Sequence, residues 1–120
     1  MLNSAAMLGI LEEAGTGVLT LAETLSEEEF FASRLTKEEV LRYLRTMAET
    51  AENLADAVKA QMPEIDWAGW SLLRGKLKDP VAPDREAAWF GVNSLVPATL
   101  LWLRLYKKNQ PELFDYKPQP

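Results

Sequence analysis

A chain of 120 residues is one domain long enough for a single core, and 48% hydrophobic content argues against disorder. A net charge of −5 has the wrong sign for broad attraction to a nucleic-acid backbone, which disfavours RNA as a partner. With no cysteine and no histidine, disulfides are excluded and a zinc site is strongly disfavoured, which leaves carboxylates as the side chains that could hold a magnesium ion. No basic segment followed by a continuous apolar run opens the chain, so the expectation is a soluble cytoplasmic domain with no membrane association.

From Leu2 to Leu25, Met7, Leu11, Ala14, Val18, Ala22 and Leu25 recur three and four apart, the stripe of an amphipathic helix over 4–25. Gly9, Gly15 and Gly17 each weaken a helix interior by about 1 kcal/mol relative to Ala. This helix therefore needs tertiary packing, and the glycines are read as places where a neighbour approaches closely. Ser26 and Glu29 have capping-box spacing, opening a short helix over 27–33 that Phe30 and Phe31 pin to the core. Thr36 and Glu39 repeat the spacing ahead of the cleanest helical pattern, 37–62. Val40, Leu44, Met47, Ala51, Leu54 and Val58 form its stripe. Its opposite face mixes Arg42, Arg45, Glu49, Glu52, Asp56 and Lys59 and reads as solvated surface. One helix alone supplies too few convergent carboxylates for a metal, so no metal and no cofactor is expected.

Pro63 breaks that helix, and Asp66 suits the N-cap of a short helix over 67–77. Trp67, Trp70, Leu73 and Leu77 make its stripe, with Arg74 set inside it. Asp79 precedes Pro80 and marks the exit. An ion pair between Arg74 and Asp79, shielded by the indoles, is the expected structural role of the guanidinium. A proline-rich corner, 80–84, leads to the last helix, 84–108, where Trp89, Val92, Val96, Leu100 and Leu103 face inward. From Leu95 to Tyr106 the pattern is apolar almost all round, too short to span a bilayer, which needs about 20 residues. Such a run implies burial on every side, by the bundle and by a second subunit. Trp70, Arg74, Leu101 and Leu105 are the interface candidates. Pro97 should kink the helix. The domain is assigned to 1–110, and 111–120 reads as a tail whose Phe114 and Tyr116 fold back on the bundle. The expected architecture is all-α, an antiparallel up-and-down bundle of four or five helices with short capped connections.

The central stretch resembles the HepT-like branch of the HEPN superfamily, toxin partners of minimal nucleotidyltransferases. Pro63-Glu64-Ile65-Asp66-Trp67 matches its signature, Arg74 falls seven residues after Trp67 as that signature requires, and Leu77 follows. The spacing of Trp89 and Pro97 and the run around Leu25–Thr36 extend the resemblance over most of the chain. The resemblance implies a HEPN-like helical dimer in which Arg and His from two protomers cleave RNA without metal. Here Asp79 stands at the position of the His and Val81 at that of the Tyr that the partner enzyme adenylylates. A guanidinium can hold a phosphate, but an ordinary carboxylate is a weak base near pH 7 and repels it. The resemblance thus implies a degenerate, non-catalytic homodimer that partners a nucleotidyltransferase. The alternatives are a metal-independent ribonuclease using Arg74 with an unusual base, and a helical interaction module of another kind.

Overall fold

The computed structural model describes residues 3–115. Its elements in chain order are α1 (Ser4–Ala22), α2 (Glu27–Ala32), α3 (Arg34–Asn53), α4 (Asp56–Ala60), α5 (Trp67–Lys76), α6 (Arg85–Phe90), a π-type segment (Gly91–Leu95), α7 (Val96–Asn109) and a 3-10 turn (Pro111–Phe114). No strand occurs among the described residues, and the class is all-α.

The caps set most of the boundaries. Ser26 accepts from the Glu29 amide at 3.1 Å while Glu29 accepts from the Ser26 amide at 2.9 Å, closing the expected capping box on α2. Asp66 accepts from Gly69 N at 2.8 Å and Asp84 from Ala87 N at 2.9 Å, so each opens its helix as a side-chain cap. The second capping box does not form. Thr36 lies inside α3, because the helical ladder already starts with the Lys37 amide donating to Ser33 O at 2.9 Å. Ser33 alone joins α2 to α3, and its side chain makes no capping bond.

The expected helix over 37–62 is broken. Leu54 and Ala55 are extended, with ψ of 139° and 138°, and the chain resumes as the single turn α4. The break turns Leu54, Met62 and Ile65 into the core, where they are at most 3% exposed. Burying three such side chains is worth roughly 1.5–3 kcal/mol each, more than the few helical bonds forgone. The final helix is interrupted too. Pro97 has no N–H to donate, and the helix answers one turn earlier by widening, with the Val96 amide reaching Gly91 O. The expected kink therefore appears as a π-type segment, and the helix runs on to Asn109.

Side-chain neighbours establish the topology. Gly15 meets Met47 and Gly17 meets Tyr43, so α1 and α3 run in opposite directions. Arg74 reaches Glu52 and Arg45 reaches the Leu77 carbonyl, which makes α5 antiparallel to α3. Gly15 lies on Leu100 and Glu12 on Lys107, which does the same for α1 and α7. The long helices thus form an antiparallel bundle, with α1 between α3 and α7. Gly15 and Gly17 permit the close approach: a Cβ would stand 2.9 Å from Leu100 Cδ2 and 2.8 Å from the Tyr43 ring. By length and mean hydropathy (1.3) α1 would also suffice to cross a bilayer. In this fold its apolar side, Leu8, Leu11, Ala14 and Val18, lies in the bundle core.

Leu95, Val96, Leu100 and Leu103 are buried, but Leu101 is 57% and Leu105 39% exposed, so this chain alone does not cover the apolar run on all sides. The 3-10 turn packs on α1 and α7, and its Leu113 and Phe114 are half-buried against the core, so Phe114 folds back on the bundle as its sequence position suggests. Tyr116 lies outside the described residues.

Candidate functional site

Trp70 anchors α5. It is fully buried, and its indole N–H donates to Thr99 Oγ1 on α7 at 3.0 Å. Thr99 is the one buried polar residue among those described, so the bond satisfies two groups that would otherwise stand unpaired in the core. Trp70 is therefore not an interface residue, as the sequence suggested, but a core residue. Trp67 is half-buried and donates to the Met62 carbonyl at 3.0 Å, holding the Pro63 corner against the start of α5.

This anchorage aims Arg74 at α3. Its Nη1 lies 2.6 Å from Glu52 Oε2, and the two side chains remain 42% and 45% exposed. The expected pair with Asp79 is absent from the chain. Asp79 Oδ1 instead accepts from the amides of Val81 at 2.8 Å and Ala82 at 3.0 Å. The amides of Ala82 and Val81, with a smaller contribution from the charge of Arg45, hold its carboxyl below the ordinary 3.8. A short carboxylate two residues before an amide favours this Asx-type turn over a reach back along the helix. Arg45, placed on the solvated face by its sequence pattern, donates to the Leu77 carbonyl at 3.0 Å and the Asp79 carbonyl at 3.2 Å. It thus satisfies the C-terminal end of α5 and ties α3 to the loop that follows.

Arg45, Arg74 and Lys78 line a cleft of about 270 Å³ with Ala48, Glu49, Leu77 and Pro80. Arg74 is already paired with Glu52 and Glu49 adds a second carboxylate, so the three cations leave an excess of one positive charge. A proton-transfer group is another matter. The chain has no histidine, and Asp79, with its carboxyl below the usual range, is a weaker base than an ordinary aspartate. Arg45, Glu49 and Glu52 stand at helical spacing on α3, the one signal that a charged stripe of this helix faces α5. Asp56 leaves that stripe at the break, and among the described residues no three acidic groups gather to hold a metal. Leu101 and Leu105 lie one turn apart on α7, both exposed. No family model, curated protein or solved structure matches this chain.

Proposed function

We infer that this chain is a HepT-like helical bundle without nuclease chemistry, acting in the cytoplasm as a homodimeric binding partner of a nucleotidyltransferase in a toxin–antitoxin-type system. One observation carries the reading. Arg74, at the place of the signature arginine, is engaged by Glu52, while the only acid at the place of the family histidine is folded onto loop amides. An arginine without a proton acceptor can bind an anion and cannot deprotonate a ribose hydroxyl. The Pro63–Trp67 signature, the spacing to Arg74 and the antiparallel helices support the family, and exposed Leu101 and Leu105 support self-association.

The test combines three measurements. Purified protein should leave single-stranded RNA intact with and without magnesium. Light scattering should give twice the 13.5 kDa chain mass, and Leu101→Asp should lower that association without unfolding the chain. A nucleotidyltransferase encoded beside it should co-purify. Metal-independent RNA cleavage abolished by Arg74→Ala would overturn the reading, and a monomer at micromolar concentration would remove the dimer from it.

A further inference from the structure

A groove of about 490 Å³ runs between α5 and α6, on a face of α5 that Arg74 does not share. Gly69, Leu73 and Ala87 line it closest to the core, and Leu72 and Phe90 stand along it. Leu72 is 71% and Phe90 49% exposed. The core does not require either side chain. Leu73 supplies the buried contact from the same turn as Leu72, and Ala88 and Gly91 supply it on both sides of Phe90.

Acids border this apolar strip. Asp66, Asp84 and Glu86 line the groove against the single cation Lys76, a local excess of two negative charges. Lys76 Nζ lies 3.8 Å from Asp84 Oδ2 and is already engaged. Among the described residues neither Asp66 nor Glu86 has a cation within ion-pair reach. Asp66 caps the start of α5 and Lys76 closes its end, about 15 Å further along the axis at 1.5 Å per residue. The Asp84 amide donates to Lys76 O at 3.1 Å, which sets the start of α6, and Glu86 with it, beside that far end. A carboxylate without a cation therefore stands toward each end of the groove, with Leu72 and Phe90 between.

We propose that this groove receives an amphipathic helix of a protein partner, with apolar side chains laid against Leu72 and Phe90 and lysines or arginines flanking them. The walls are helical, so their main-chain groups are bonded within the helices and an incoming strand finds no edge to pair with. A helix needs only the side-chain surface. The bordering charge decides among apolar occupants. Asp66 and Glu86 repel nucleic acid and anionic lipid headgroups and attract cations. A second copy seated on this groove by two-fold symmetry would set the same carboxylates against each other, which like-charge repulsion opposes. Neither Leu101 nor Leu105 lines the groove, so this docking goes beyond the dimer and requires neither that contact nor Arg74.

Calorimetric titration of the intact protein tests it, the probe being a peptide with leucines at three- and four-residue spacing and lysines elsewhere. That peptide should bind one per chain. It should bind at least about tenfold more tightly than a leucine–glutamate peptide of the same pattern, or than its own composition in scrambled order. Leu72→Gln and Phe90→Gln should each weaken binding about tenfold, and Glu86→Gln about threefold. Leu35→Gln and Glu13→Gln, exposed positions outside the groove, should leave it unchanged. The substituted side chains are exposed, and an unchanged Tm separates lost binding from lost fold. No binding at millimolar peptide, equal binding of the glutamate or scrambled peptide, or equal weakening by Leu35→Gln would each overturn the proposal. A lower mass in light scattering for Leu72→Gln than for wild type would assign the groove to a second copy and overturn it as well.

Discussion

Replacing Trp70 by Phe probes the anchorage on which the position of Arg74 depends. The variant removes the indole N–H from Thr99 Oγ1 and leaves a buried hydroxyl, 1% exposed, without that donor. Such a loss costs about 1–3 kcal/mol. The smaller ring also vacates a few tens of Å³ at a fully buried site, adding about 1 kcal/mol at roughly 24 cal/mol per Å³. The expected total is about 2–4 kcal/mol, a fall in Tm on the order of 10 °C for a domain of this size. Thr99→Val strands the other partner and should cost about 1–3 kcal/mol. Because both variants break one bond, urea melts of the two single variants and the double variant should show a coupling of about 1 kcal/mol. Single-variant costs below about 0.5 kcal/mol with strict additivity would refute the view that this bond holds α5 to α7.

Arg74→Ala should change stability by less than about 1 kcal/mol, because its pair with Glu52 is more than a third exposed and screened by solvent. A cost above about 2 kcal/mol in a thermal melt would show that the pair is desolvated. Gly15→Ala gains about 1 kcal/mol of helix propensity, yet its Cβ would press on Leu100 Cδ2 at 2.9 Å in the buried core. Overpacking of about 1–3 kcal/mol should prevail, so chemical denaturation should find the variant less stable. Glu29, held below its ordinary 4.5 by the backbone and hydroxyl of Ser26, and Asp79 have depressed folded-state values. Their stabilising contributions are complete above the unfolded values of 4.5 and 3.8 and are lost as pH falls through the lower folded ones. Tm should thus be flat from about pH 6 to 8, where no histidine titrates, and decline below about pH 4.5.

What could be read from the residues alone was local. The caps at Ser26, Asp66 and Asp84 involve groups three residues apart, and apolar spacing marks the buried faces of α1, α3 and α7. The break at Leu54 was hidden because helix propensity continues smoothly through 55–60, and only the core offered to Met62 and Ile65 makes the bend favourable. The partner of Arg74 was hidden for a similar reason. Glu52 is 22 residues away, and which carboxylate it meets depends on how α5 crosses α3. Trp70 drew attention as an aromatic beside a charge, but nothing in its neighbours pointed to Thr99, 29 residues later. The widened segment at 91–95 follows from Pro97, yet proline alone predicts a disturbance and not its form.

The corner after Asp79 has a consequence for recognition of any kind. Pro80 and Pro83 have no N–H, while the amides of Val81, Ala82 and Asp84 are already bonded within the chain. From residue 80 to 84 the backbone therefore offers acceptors and no free donor. A passing strand cannot add itself here by exchanging main-chain bonds, and a bound anion finds no amide cradle on this side. Although exposed and irregular, the segment is closed to backbone-driven association. Selectivity at this corner rests on the side chains that border it and on its outward carbonyl oxygens.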